Sequence, residues 1–283
     1  MKVSFVGASR AGISVAAYMK SKGFEVTGFF SRELAWAVDA AVAVDCKAFD
    51  ELEKALRTAE LIFISTSDDN IRKTMHKIRM LKPENKIFCC LSGVEGAEIL
   101  DIGEANTYFS FHPPYLFDTK VPVNLDGLTF ILEGYGKRYW DFIDEVDERC
   151  IPYIEVKPGQ KAVYHFALCF MTSFVSDLLM MGNEVLKTSG VGRMEMFAPI
   201  IRWNVSRMLE ADDMVTMLTG PAARGDVATL RKHLEAMRHG VGFNIQSIYK
   251  MIALSELEYS DVTDAVRKRI KELLLMSGVD QKD

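Results

Sequence analysis

The stretch from Val6 to Arg32, VGASRAGISVAAYMKSKGFEVTGFFSR, limits what this chain can fold into more than any other feature. An apolar run leads into a glycine turn, a helical pattern follows, and a second apolar run ends in Ser-Arg. Gly7, Ser9 and Gly12 occupy the three positions of G-x-G-x-x-G, with serine in the middle. The first position permits a tight turn, the second needs a small residue so that backbone can approach a pyrophosphate, and the third lets helix pack closely on strand. The amides and dipole of the helix N-terminus favour an anion there. Gly7, Ala8, Ser9, Arg10, Ala11 and Gly12 are therefore the expected dinucleotide turn.

The end of the second run selects the nucleotide. An NAD site normally carries Asp or Glu there, about 20 residues beyond the glycines, to accept from the ribose hydroxyls. This chain has Ser31 and Arg32 instead. A carboxylate would repel a 2′-phosphate, whereas an arginine grips it with charged hydrogen bonds. NADP(H) is expected over NAD(H), with the alternative that Ser31 only caps the next helix and Arg32 is solvated.

Strand-like runs recur as VSFVG, EVTGFF, LIFIST, KIFCCLSG and LTFILEG. They alternate with helical patterns in GISVAAYMKSKG, FDELEKALRTA, DDNIRKTMHKIRM and KRYWDFIDEVDERC. Alternation of this kind gives an α/β fold whose mostly parallel sheet is covered on both faces. Beyond Pro158-Gly159 only helical periodicity remains. The expected organisation is a Rossmann-like, doubly wound dinucleotide domain over residues 1–156. An all-α substrate or dimerisation domain follows over 157–283, where most of the 15 methionines lie.

The chain has 283 residues, 49% of them hydrophobic and 26% charged, enough for a substantial core. The formal net charge is −5 and neither half is basic, which argues against nucleic acid as a partner. Five cysteines without a C-x-x-C pair fit reduced thiols in the cytoplasm. Arg10 interrupts the opening apolar run too early for a signal peptide. HFALCFMTSFVSDLLMM is short for a bilayer span and carries Asp177, so a buried helix rather than a membrane segment is expected. The five histidines contain no H-x-x-H or H-x-x-x-H pair, so no metal site is expected.

Ligands of parallel sheets lie at the carboxyl ends of the strands. Two further ends are polar: Ser65-Thr66-Ser67-Asp68 after LIFI, and Ser92-Gly93 after KIFCCL. Both are candidates to flank the ribose and nicotinamide, with helix capping by Ser67 or Asp68 as the alternative. In FSFHPPYLF, two prolines restrain His112, a candidate proton donor or acceptor on the substrate side. GQKAVYHFALCFMTSFVSDLL reads as one long helix, with Lys161, His165, Thr172 and Ser176 near one face. Lys161 is a candidate to polarise a carbonyl or bind a carboxylate, and His165 to relay a proton.

LTGPAARGDVATLRKHLEAM, residues 218–237, resembles a bacterial oxidoreductase family that joins a Rossmann-like domain to a helical domain of unassigned function. Gly220, Pro221, Arg224, Gly225, Asp226, Thr229 and His233 match its pattern. Lys161, Tyr164 and His165 match its Lys…Tyr-His helix, and His112-Pro113 its His-Pro turn. Where the family usually has Asn, this chain has Ser173. The wider similarity is to pyrroline-5-carboxylate reductase, ketopantoate reductase and prephenate dehydrogenase.

The resemblance implies a reductase using NADPH on a small carboxylate-bearing carbonyl or imine, with ketopantoate as first candidate, and a homodimer through the C-terminal helices. Arg224 would hold the carboxylate at a helix N-terminus, or else pair with Asp226 and only fix its loop. The alternatives are a pyrroline-5-carboxylate or prephenate type of reaction, and a non-catalytic NADP(H)-binding regulator.

Overall fold

The computed structural model describes residues 1–136, 138–238 and 240–276. The chain divides into two compact units, Met1–Met171 and Thr172–Asp283. The first runs β1 (Lys2–Val6), α1 (Arg10–Ser21), β2 (Glu25–Phe30), α2 (Leu34–Val44), β3 (Lys47–Phe49), α3 (Leu52–Arg57), β4 (Leu61–Ile64), α4 (Asp68–Met80), β5 (Ile87–Cys90), β6 (Thr107–His112), β7 (Phe130–Tyr135), α5 (Tyr139–Glu148), β8 (Tyr153–Glu155) and α6 (Gln160–Met171).

The strands form one sheet in the order β3-β2-β1-β4-β5-β6-β7-β8. Neighbours are parallel except β6 and β7. The order reverses at β1, which pairs with β2 on one side and β4 on the other, and this opens a crevice at their carboxyl ends. The fold is thus the expected Rossmann-like α/β sheet.

β4 and β5 are buried at every residue, as strands covered by helices on both faces must be. Phe5 stacks on Phe29 and Phe63 with ring centroids 5.0 and 4.8 Å away. Phe111 stacks on Phe130 at 4.1 Å and meets Phe142 edge-on at 5.5 Å. These rings tie five strands and α5 into one core. A second core lies under α3 and α4 and includes Leu56, Ile71, Met75, Ile78 and Phe88.

Several elements differ from the sequence reading. FSFH, expected as a restrained turn, is the end of β6, and its prolines follow the strand. β3 and β8, three residues each, carry too little pattern to be read alone. The expected helix 160–180 is two helices. Thr172 leaves helical geometry at φ −128°, ψ −78°, and α7 (Ser173–Ser189) begins after it. Thr172 and Ser176 therefore do not share a helix with Lys161 and His165. The compact units also divide at this break rather than near residue 156, because α6 is anchored to the sheet by Lys161.

The second unit contains α7, α8 (Ala198–Glu210), α9 (Val227–Met237), α10 (Phe243–Glu258) and α11 (Asp264–Met276). It has no strand among the described residues. Its core is small, built from Ala222, Leu230, Leu234, Ala253, Leu257, Ile270 and Leu274. No residue of α7 or α8 is buried, although α7 carries Phe, Leu and Met and α8 carries Ile, Trp, Met and Leu. Gln160–Ser189 is long and apolar enough by composition to cross a membrane. Of its two helices, α6 and α7, only Lys161 is buried within the chain, so the buried helix expected from the sequence is not what the structure shows.

Candidate functional site

The glycine turn sits where β1 and β4 end side by side. Ser65 donates its amide to Val6 O at 2.9 Å and its hydroxyl to Gly7 O at 2.7 Å. Gly7 has φ +108°, and a Cβ there would lie 2.5 Å from Ser65 O. A Cβ on Gly12 would lie 2.5 Å from Ser65 Oγ. Both glycines are therefore required by the neighbouring strand end, whatever binds above them. Ser9 caps α1, its Oγ accepting from the amide of Gly12 at 3.0 Å. That leaves the first two helical amides, Arg10 and Ala11, for an anion.

Above this turn lies a cavity of about 810 Å³. Its walls include Gly7, Ala8 and Ser9 from the turn, Ser31 and Arg32 after β2, and Ser65, Thr66 and Ser67 after β4. Thr66 Oγ1 is buried there without a hydrogen-bond partner. Arg32 is exposed and makes no ion pair among the described residues. The cavity also takes in Trp36, Asn70, Lys73, Thr74 and Lys77, which the sequence reading did not single out.

Asp68, Ser92 and Gly93 do not line this cavity. Asp68 opens α4, where its charge suits the helix dipole. Ser92 closes its own turn by accepting from the amides of Val94 and Glu95 at 3.2 and 3.0 Å.

Gly93 belongs to a second cluster, formed where β5 and β6 end beside α6. A Cβ on Gly93 would lie 2.5 Å from His165 Cδ2 and 2.9 Å from His112 Cε1. The two imidazoles are 6.1 Å apart, and the ring of Tyr164 is 5.9 Å from His112. His112 Nδ1 lies 2.9 Å from Leu91 O, which can only accept, so Nδ1 carries the proton. Burial pushes the His112 pKa down to about 4, the bond to Leu91 opposing and the Lys161 and His165 charges assisting.

At neutral pH, Nε2 is thus a bare acceptor, buried and without a partner. The Tyr164 hydroxyl is also buried and unpartnered, and burial pushes its pKa up to about 12. His165 Nδ1 lies 3.8 Å from Cys169 Sγ. His112 is therefore not the proton donor that the sequence allowed. The group able to donate beside it is Tyr164, which carries no sequence signal beyond its place in the family helix.

Lys161 corrects another expectation. It is 2% exposed, and its ammonium donates to Ser92 O at 2.5 Å, Glu95 O at 2.6 Å and Ser110 Oγ at 2.7 Å. All three N–H groups have protein acceptors, so none is free to polarise a carbonyl or hold a carboxylate. Lys161 instead pins the 92–95 turn, and with it Gly93, against β6. Ser173, at the family's Asn position, is the first residue of α7.

In the helical unit, Arg224 donates to Thr219 O, and its other terminal nitrogen lies 4.0 Å from Asp226 Oδ2. Asp226 caps α9, accepting from the amide of Thr229 at 3.0 Å and its hydroxyl at 2.7 Å. Those bonds hold the Asp226 carboxyl below its ordinary pKa. The loop geometry thus favours the loop-fixing role of Arg224, with a carboxylate already beside it. An almost wholly apolar cavity of about 540 Å³ lies between α7, α9 and α10, with the His233 Nδ1 to Tyr249 hydroxyl pair, 2.8 Å apart, in its wall. Among the described residues no three His, Cys, Asp or Glu side chains gather into a metal site.

A family model described as a domain of unknown function, DUF2520, matches residues 129–256. Glutamyl-tRNA reductase of Prochlorococcus marinus (strain MIT 9515) is 28% identical over 91 residues, which is 30% of this chain and only 21% of that protein. The structure of the putative NADP oxidoreductase BF3122 from Bacteroides fragilis superimposes with a TM-score of 0.76 at 20% identity, covering 91% of this chain and 98% of that one. An imine reductase from a Pseudomonas species gives a TM-score of 0.65 at 16% identity, covering 98% of each chain. These structural likenesses establish the shared fold of a Rossmann-like sheet followed by helices.

Two measurements test the second cluster. Lys161→Met orphans three acceptors, two of them buried, and is expected to lower unfolding free energy by about 2–4 kcal/mol in denaturant titration. A loss below about 0.5 kcal/mol would remove Lys161 from the anchoring role. The His112 pKa falls from 6.5 when unfolded to about 4 when folded, so the unfolded chain binds the proton more readily. The stability linked to His112 is complete above pH 6.5 and is lost as pH drops toward 4. Imidazole resonances of His112 still titrating near 6.5 would contradict this.

Proposed function

We propose that this protein is an NADPH-dependent reductase of a small carbonyl or imine compound. The observation that carries the reading is the cavity above the glycine turn. It has a capped helix start with two amides left over, an unpaired arginine after β2, and a buried Thr66 hydroxyl with no protein partner. A bound dinucleotide would supply what each lacks. Gly7, Ala8, Ser9 and the amides of Arg10 and Ala11 would hold the pyrophosphate. Ser31 and Arg32 would hold the 2′-phosphate, and Thr66 and Ser67 the ribose. Bound NADPH would supply the hydride.

The His112, Tyr164, His165 and Gly93 cluster is the proposed substrate side. The carbon of C=O or C=N would take the hydride, and the heteroatom would take a proton. Tyr164 is the residue able to give that proton, and His112 Nε2 accepts an N–H or O–H of the ligand. Lys161 positions the turn and does not touch substrate.

The engagement of Lys161 and the Asp226 beside Arg224 weaken the case for a carboxylate clamp. The substrate class is accordingly widened from 2-oxo acids to neutral carbonyls and imines. The NADP oxidoreductase and imine reductase among the structural relatives support this reading by fold. Burial of the apolar faces of α7 and α8 against a second copy is part of the proposal, since neither helix buries a residue in the single chain.

NADPH oxidation is to be followed against 2-oxo acids including ketopantoate, cyclic imines and prephenate, with NADH alongside. Turnover with NADPH preferred, and loss of that preference in Arg32→Glu, is expected. NADPH binding without turnover of any carbonyl or imine would leave a non-catalytic binding protein. Light scattering is expected to give twice the chain mass, and a monomer at micromolar concentration would reject the shared helical interface.

A further inference from the structure

The cavity above the glycine turn has a second cationic wall. α4 reads DDNIRKTMHKIRM. Its apolar residues Ile71, Met75 and Ile78 are buried in the core beneath the sheet. Asn70, Lys73, Thr74 and Lys77 recur at i, i+3, i+4 and i+7, which places them on one face of the helix. All four line the cavity, as does the segment Phe30–Arg32. Lys73 and Lys77 are exposed, and neither has a salt-bridge partner among the described residues, nor has Arg32. No aspartate or glutamate lines the cavity.

A solvated lysine usually needs no explanation. Here, however, other cationic side chains of the same domain do find partners: Lys54 pairs with Asp50, Arg57 with Glu53 and Lys20 with Asp45. In a chain of net charge −5, this cavity gathers Arg32, Arg72, Lys73 and Lys77, with no ion pair for any of them among the described residues.

We infer that Lys73 and Lys77 form the second wall of the 2′-phosphate site, so that this dianion sits between Arg32 on the β2 side and the polar face of α4. This rests on the NADPH reading above and deepens it. Recognition from both sides makes the site selective for a phosphorylated ribose rather than tolerant of it. A lone exposed arginine contributes little, whereas several cations converging on one dianion reinforce each other. Exposed positions on a helix whose opposite face makes the core can be changed without unfolding the domain.

The test is equilibrium binding of NADPH and NADH by fluorescence, with 2′,5′-ADP as a competitor, to the full chain and to the Lys73→Gln/Lys77→Gln double variant. The expected result is that NADPH and 2′,5′-ADP weaken at least tenfold, NADH changes less than twofold, and the salt dependence of NADPH binding becomes shallower. An equal loss for NADPH and NADH would mean that the lysines serve the shared part of the dinucleotide, and would overturn the assignment. Unchanged NADPH affinity would overturn it as well. If the wild-type chain binds neither dinucleotide, the reading of the cavity itself fails, and this inference with it.

Discussion

The close approach of the β1 and β4 strand ends governs everything above the sheet. Ser65 bonds to the carbonyl of Gly7 and leaves no room for a Cβ on Gly7 or Gly12. That contact sets the turn, the turn sets the start of α1, and the start of α1 sets where two unsatisfied amides lie. The glycines are thus demanded by packing before any ligand is considered. A glycine pattern is weak evidence for a nucleotide for this reason. The stronger evidence is the Thr66 hydroxyl, buried beside the turn with nothing to bond. Packing does not require it, and leaving such a group unpaired costs stability.

Much of this was legible in the sequence, and the failures have physical causes. Five strands and the reversal of sheet order followed from apolar runs alternating with amphipathic helices. The turn after β1 and the Ser31-Arg32 end of β2, both singled out in the sequence, line one cavity. The three-residue strands β3 and β8 were invisible, since a run so short has no period. Lys161 was misread because a lysine on an apolar helix looks like a ligand for something outside. Its partners are backbone carbonyls of the 92–95 turn, 66 to 69 residues earlier in the chain. The break at Thr172 was missed because the composition stays helical across it. The polar face of α4 was written plainly at i, i+3, i+4, i+7. It went unused because only the sheet order shows which helix face meets the crevice.

The two clusters of the first unit divide the work electrostatically. The cleft by β1, β2 and β4 is cationic, solvated and free of carboxylates. The corner by β5 and β6 is half-buried, with His112 held as a neutral acceptor, Tyr164 as a neutral donor and Cys89 and Cys90 kept protonated by burial. Charges at an exposed cleft attract and orient an anion over a distance set by screening. Hydrogen-bonding groups in a half-buried corner act only on what touches them, but act more strongly where competing water is excluded.

That division also bears on which part of a substrate the corner can accept. The buried ammonium of Lys161 spends its three N–H groups on neutral oxygens, so it offers no free counter-ion to an anion. A substrate carboxylate entering it would lose its hydration without gaining a cation, at a cost of several kcal/mol by the general penalty for burying an unpaired charge. A neutral carbonyl or imine loses far less and gains a donor from Tyr164. Under the proposed reading, this corner would favour a neutral reacting group over an acid, whichever part of the protein receives the rest of the molecule.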